Sequence, residues 1–277
     1  MKTIVVTGAT SGIGKEVALQ LLKSGHRVIA IARNLEKADQ VKKELAESSE
    51  NHHLHFFEAD FANFQSVLGF AQTVKTNYSS IDVLINNAGT WEMKFTETSD
   101  GIETNLQVNH LSPMLLTLEL LPLLKKGGNG RIVNTSSGAH RRNILDLDDP
   151  EWRKKPYDGV ATYSQSKLFN ILFSLQLVKK LNSHLVTVNT VHPGYVKTSL
   201  FDKMGSRDWT GIPTAAEGAR GTLYATLSDD LEGISGKYLF QEHEDPGLST
   251  LAKDEKLAEK VWEMSVKYLA GKSALVA

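Results

Sequence analysis

The chain of 277 residues contains no cysteine. That excludes disulfides, thiolate zinc sites and cysteine nucleophiles. It suits a reducing compartment, and the expected location is cytoplasmic. A surplus of one charge is also missing. Lys and Arg number 31 against 32 Asp and Glu, for a net charge of −1. No electrostatic argument therefore points to nucleic acid or an anionic membrane. Long apolar runs are lacking. The greasiest stretch, Pro113 to Leu124, is interrupted by Glu119 and Pro122 and is too short to span a bilayer. The apolar core of Met1 to Gly8 is too short for a signal peptide. Without a secretion signal, the glycosylation patterns Asn77-Tyr78-Ser79 and Asn134-Thr135-Ser136 carry no meaning. No Gly-x-Ser-x-Gly occurs, so a serine-hydrolase elbow is unsupported. Repeats, low-complexity tracts and linkers are absent, and one domain over 1–277 is expected.

The first informative stretch is Ile4-Val5-Val6 followed by Thr7-Gly8-Ala9-Thr10-Ser11-Gly12-Ile13-Gly14. Val17, Leu21 and Leu22 then repeat at helical spacing. Strand, glycine turn and helix are the parts of a phosphate site, because helix N-termini offer free N–H groups and a positive dipole end. The spacing Gly-x-x-x-Gly-x-Gly is neither the dinucleotide fingerprint nor a P-loop. Alone it reads equally well as a tight turn with nothing bound. The second strand, His26 to Ile31, ends at Arg33 with no acidic residue before Glu36. In nicotinamide-binding folds an acidic residue here takes the ribose 2′-hydroxyl of NAD, whereas an arginine accommodates the 2′-phosphate of NADP. A solvated surface arginine is the plainer alternative.

A charged helix over 35–48 precedes the strand His53 to Phe57, which ends at Ala59-Asp60-Phe61. Asp60 is positioned to meet an adenine edge. His52, His53 and His55 suggest a metal only weakly, since alternation puts just two on one face and no carboxylate joins them. No metal is expected. Ile81 to Ile85 is a buried strand running into Asn86-Asn87-Ala88-Gly89, small residues suited to the floor under a flat ligand. From Ile102 a helix carries Asn105, Asn109 and His110 towards Leu124, with a kink expected at Pro113. Arg131 to Thr135 is the next strand, and Ser136-Ser137 stand at its end. Residues 138–159 form a polar insertion whose acidic run, Asp146 to Asp149, reads as a solvated loop or lid.

Tyr163 and Lys167 open a long apolar helical pattern. Residues four apart share a helix face, and an ammonium beside a phenol is expected to lower its pKa. Tyr-x-x-x-Lys is weak on its own; Tyr268 and Lys272 repeat it with nothing to support them. A sixth strand over 185–191 leads into His192-Pro193-Gly194-Tyr195-Val196-Lys197-Thr198. A loop over 199–213, a helix over 214–227, a last strand over 237–240 and a C-terminal helix over 251–270 complete the chain. Alternating strands and helices predict a single α/β domain. Its core is a Rossmann-type, doubly wound parallel sheet of about seven strands, with helices on both faces. Ligands bind such sheets outside the carboxyl ends of the strands. The glycine turn, Asp60, Asn87 to Gly89 and Ser137 all follow strand ends and so fall on one rim.

Together these motifs resemble, in kind and order, the short-chain dehydrogenases/reductases. The resemblance covers roughly residues 3–240. Val108-Asn109-His110-Leu111, Ser137-Gly138-Ala139-His140 and His192-Pro193-Gly194 are similar to the branch around retinol dehydrogenases. So is the gap of 26 residues between Ser137 and Tyr163 (163 − 137). The resemblance implies that Ser137 polarises a substrate carbonyl and Tyr163 gives or takes its proton. It implies that Lys167 lowers the Tyr163 pKa and holds the nicotinamide ribose, and that Asn109 anchors a water relay. Gly8, Ser11, Gly12, Ile13 and Gly14 would hold the phosphates and adenosine ribose. Asp60 and Phe61 would meet adenine, and Asn87, Ala88 and Gly89 would line the adenosine side. Pro193, Gly194, Val196 and Thr198 would hold the nicotinamide amide.

The expected function is NADP(H)-dependent interconversion of a small-molecule carbonyl and its alcohol, with NAD(H) use left open. A catalytically silent NADP-binding sensor on the same fold is the alternative. Sensors tend to lose the tyrosine or lysine, and both are kept. A protochlorophyllide-reductase-like role is disfavoured by the missing cysteine. Trp91, the 199–213 loop and the C-terminal helix are expected to shape the substrate pocket. Apolar faces over 101–124 and 160–182 suggest a homodimer or homotetramer.

Overall fold

The computed structural model describes residues 1–181, 185–198, 200 and 211–272. The loop expected over 199–213 lies mostly outside the described residues. The β-branched run at the N-terminus forms β1 (Thr3–Val6), and the glycine turn leads into α1 (Gly12–Lys23). There follow β2 (Arg27–Ala32), α2 (Leu35–Ser49), β3 (Leu54–Glu58), α3 (Phe64–Asn77) and β4 (Val83–Asn86). A short helical turn, α4 (Thr104–Leu106), passes through a π-turn (Gln107–Leu111) into α5 (Ser112–Lys126). The second half contains β5 (Gly130–Thr135), α6 (Gly159–Leu181), β6 (Val186–His192) and α7 (Ala215–Leu227). It closes with β7 (Tyr238–Phe240), β8 (His243–Glu244) and α8 (Glu255–Leu269).

The sheet order is β3-β2-β1-β4-β5-β6-β7-β8, parallel throughout except for the antiparallel pair β7 and β8. The chain winds outward from β1 to β3, then returns to start the other half at β4. The switch lies between β1 and β4, where crossover connections leave a crevice at the strand ends. Alternation divides the core. Ile4, Val6, Val28 and Ala30 pack with α1, α2 and α7 on one face. Val5, Ile29 and Ile31 pack with α3, α5 and α6 on the other.

Three features differ from the sequence reading. β8 is an eighth strand, two exposed residues long, paired with Leu239 and Phe240. It buries no apolar side chain, so no alternation marks it. The kink near Pro113 takes the form of a π-turn. Ser112 N–H bonds Gln107 C=O, one residue wider than an α-helical step. Pro113 has no N–H to offer the Asn109 carbonyl four residues earlier. The insertion is a braced loop of residues 138–158, since Gly159 already belongs to α6. The Asp146 and Asp149 carboxylates accept backbone N–H groups within it, and Lys155 pairs with Asp146 at 2.5 Å. Gln165 of α6 clamps it, accepting from Asp146 N–H and donating to Pro150 C=O, both at 2.8 Å.

The expected C-terminal helix forms as a 3-10 turn (Leu251–Lys253) and then α8, capped by Asp254. α8 lies against α6. The Trp262 and Phe173 rings stack at 5.9 Å, the Lys180 ammonium sits 5.0 Å from the Trp262 ring centroid, and Lys179 pairs with Glu255 at 2.6 Å. Seventeen of the 23 residues of α6 are buried within this one chain. Much of the apolar face of α6, one of the two that suggested subunit pairing, is therefore covered within the chain.

Candidate active site

Thr7 follows β1 and ties the glycine turn to the end of β4. Its hydroxyl accepts the N–H groups of Asn87 and Ala88, each at 2.9 Å. The Asn87 amide returns a bond to Thr7 C=O at 3.0 Å. This leaves no space for a side chain at Gly14. A Cβ on Gly14 would lie 2.2 Å from the Gly8 carbonyl oxygen, and Gly8 itself sits at φ +72°. Ser11 is the N-cap of α1, yet its hydroxyl makes no cap bond. Helix N–H groups and this hydroxyl face the crevice, an arrangement suited to an anion.

At the other end, Ser136 and Ser137 follow β5 and diverge. Ser136 donates to the Lys167 carbonyl at 2.7 Å and so holds α6. Ser137 faces the crevice, near enough to Tyr163 for its hydroxyl to favour the phenolate. Tyr163 and Lys167 lie one turn apart on α6, each 4% exposed. The Lys167 ammonium is 5.6 Å from the Tyr163 ring centroid and donates to Thr135 C=O at 3.4 Å. Asn109 stands behind the crevice. Its amide donates to Thr90 C=O at 2.9 Å and to Ser166 Oγ at 3.0 Å, and its oxygen accepts from Thr90 N–H at 2.7 Å. Both amide hydrogens and one lone pair of the oxygen are used, so the side chain braces the loop after β4 against α6.

The electrostatics correct one expectation. Beside Lys167, the Tyr163 phenol does not fall below its ordinary value. Burial pushes the phenol up to about 12, opposed by the nearby Ser137 hydroxyl. Burial likewise pushes Lys167 down to about 8. For each of these two buried groups, the cost of desolvating its charged form is the largest influence. At neutral pH the Tyr163 phenol is neutral.

The crevice is a groove of about 370 Å³ along the sheet rim. Its walls include Gly8, Ser11, Gly12, Ile13 and Gly14 from the turn, and Arg33, Asp60 and Phe61 from the ends of β2 and β3. Asn87, Ala88 and Gly89 follow β4, and Ser137, Tyr163 and Lys167 close the centre. Pro193, Gly194, Val196 and Thr198 complete it beyond β6. Every residue assigned from the sequence to the cofactor, and Ser137, thus borders one groove, with Asn109 just behind. Trp91, expected to shape the substrate pocket, does not line it but is buried against Tyr163. Sequence reasoning missed Thr7, Ser136 and Thr135 as parts of this frame. Thr135 Oγ1 is buried with no partner beside the groove. With the cap-free Ser11 and the glycine cradle, it fits a polar ligand lying along the rim.

The comparisons with known proteins agree. The sequence model for short chain dehydrogenase matches residues 2–209, from the start of β1 past the last groove residue. The chain belongs to the short chain dehydrogenase family. It is therefore an oxidoreductase acting on CH–OH groups with a nicotinamide cofactor. The chain is 34% identical over 278 residues to human retinol dehydrogenase 13, covering 96% of this chain and 84% of that one. A solved structure of an uncharacterized protein from Mycobacterium Paratuberculosis superposes with a TM-score of 0.80 at 32% identity, covering 97% of this chain and 93% of its own. A short chain dehydrogenase from Shigella flexneri 2a, complexed with NADP, gives a TM-score of 0.70 at 25% identity, covering 87% and 97%. Among the described residues, no helix is long and apolar enough to cross a membrane. Nor does any group of three or more His, Asp or Glu gather there to hold a metal.

Proposed function

We propose that this short chain dehydrogenase interconverts an aldehyde or ketone and its alcohol with NADP(H), using Tyr163 as the acid/base. The observation that carries the reading is the placement of Tyr163 and Lys167, one helical turn apart and each 4% exposed, with half-buried Ser137 on the same stretch of the groove. A bound nicotinamide supplies the hydride. Ser137 and Tyr163 then hold the carbonyl oxygen between their hydroxyls. In reduction, Tyr163 gives its proton to that oxygen; in oxidation, it takes the proton back. Lys167 steers the ribose, and the Asn109 carbonyl anchors the path that restores the proton. Gly8, Ser11, Gly12, Ile13 and Gly14 hold the phosphates. Asp60 and Phe61 meet the adenine, while Asn87, Ala88 and Gly89 line the adenosine side. Pro193, Gly194, Val196 and Thr198 take the amide.

Arg33 supports NADP(H), because it is exposed at the end of β2 and borders the groove. The NADP carried by the Shigella flexneri relative points the same way. The retinol dehydrogenase relatives support a lipophilic substrate. Cytoplasmic residence belongs to the proposal, as does a single chain as the working unit, since α6 is already sheathed by α8. A panel of aldehydes, ketones and alcohols followed at the nicotinamide absorbance tests the reading. Turnover with at least one lipophilic pair is expected. Tight NADP binding with no turnover across the panel would favour the silent sensor.

A further inference from the structure

We infer that Trp91 is a positioning residue for the acid/base tyrosine, the wall against which the Tyr163 phenol is held flat and kept from water. The inference rests on the proposed role of Tyr163. The Trp91 and Tyr163 rings stack face to face, with centroids 4.4 Å apart and planes 12° from parallel. Trp91 is 6% exposed, so one face of the phenol meets indole rather than solvent. Such stacking is worth about 0.5–1.5 kcal/mol beyond area burial and fixes a ring plane.

The indole is itself anchored. Its N–H donates at 2.9 Å to the carbonyl of Gly159, the first residue of α6, one turn ahead of Tyr163. Gly159 has no room for a side chain: a Cβ would lie 2.5 Å from Glu92 O and from Met93 Cα. The backbone on both sides of Trp91 is pinned as well. Thr90 N–H bonds Asn109 Oδ1 at 2.7 Å, and Glu92 N–H bonds Asn105 Oδ1 at 2.8 Å. Asn105 also donates to Glu92 C=O at 3.1 Å and to Thr162 Oγ1, beside the tyrosine, at 3.0 Å. Two asparagines thus clamp a three-residue segment whose central side chain covers the phenol. A tryptophan serving only as core filler would need neither the flat stack on a titrating group nor this double clamp. With the ring plane fixed, the phenol stays in place in the groove that Ser137 also lines. With one face dry, the phenol stays neutral until it delivers its proton.

The test compares Trp91→Phe, which keeps a stackable ring, with Trp91→Leu, which keeps apolar bulk without one. Each is measured for kcat, for cofactor Kd by titration, and for the pH dependence of kcat. The Leu variant is expected to lose about 10- to 100-fold in kcat, the scale of a misplaced reacting group. Its cofactor Kd should stay within twofold of the parent. Its alkaline pH midpoint should move down towards about 10, the ordinary tyrosine value. The Phe variant should recover most of both. Equal kcat and equal pH midpoints in the Leu and Phe variants would overturn the inference, as would a change confined to KM. Tyr163→Phe, run alongside, separates the failures. If it stays active, the acid/base reading is wrong. If it is inactive while Trp91→Leu behaves like the parent, only the role of Trp91 is wrong.

Discussion

Replacing Lys167 with methionine should make the cofactor-free protein more stable while abolishing its activity. Lys167 is 4% exposed, and its ammonium has a single hydrogen bond among the described residues, to Thr135 C=O at 3.4 Å. Burial brings its pKa from 10.5 down to about 8. Each unit corresponds to about 1.4 kcal/mol, so holding this charge in the crevice costs about 3 kcal/mol. The sign follows from proton binding. Between pH 8 and 10.5 the unfolded chain keeps the proton and the folded chain does not, so stability rises with pH across that window. Below pH 8 the folded protein carries the full penalty. Methionine has similar length and no charge. Urea unfolding of both proteins without cofactor should therefore show Lys167→Met more stable by up to about 3 kcal/mol at pH 7. The gain should shrink towards zero near pH 10.5. A variant less stable than the parent at pH 7, or one whose gain is the same at pH 7 and 10.5, would refute the reasoning.

Other outcomes follow from the same geometry. Arg33→Asp should reverse or erase a preference for NADPH over NADH in kcat/KM. Charge-assisted bonds to a 2′-phosphate are worth about 1.5–3 kcal/mol, or about 10–200-fold, and the exposed setting favours the lower end. An unmutated protein that uses both cofactors equally would remove Arg33 from the site. His110 is fully buried and bonded to Ser265 and Asn170, and burial pushes it down to about 4. It is neutral when folded but protonated when unfolded between pH 6.5 and 4, so it withdraws stability as pH falls through that window. His110→Gln should flatten the acid side of the stability–pH curve. An unchanged slope would show that other groups set it. Light scattering should give the mass of one chain over a wide concentration range. A stable dimer would mean that a face other than the one covered by α8 pairs.

The legible parts of this fold are those carried by neighbours in sequence. A β-branched run, three glycines and an amphipathic helix sit within residues 3–22, so the turn at the rim can be read directly. Tyr163 and Lys167 share a helix face by spacing alone. What could not be read depends on distant segments. The direction of the Tyr163 pKa is set by burial under residues brought from β5 and from the loop after β4. Trp91 is 72 positions from Tyr163 in the chain (163 − 91), and no periodicity links them. Pro113 signals an irregular helix, but a π-turn that frees the Asn109 carbonyl is only one of the ways to accommodate it. The covering of α6 by α8 likewise required the tertiary arrangement, since an apolar helix face does not say whether its partner comes from the same chain.

The central claim is that Tyr163 carries the proton in this site, and its removal tests that most directly. Tyr163→Phe keeps the ring, the Trp91 stack and the groove while deleting the hydroxyl. Cofactor titration and turnover at the nicotinamide absorbance should be measured on the same preparation, with Tyr268→Phe as the control. Binding should persist, and turnover should fall by about 10²–10⁴, the contribution of a positioned acid/base. Near-normal turnover of Tyr163→Phe would contradict the account, the more so if Tyr268→Phe were the variant that lost activity.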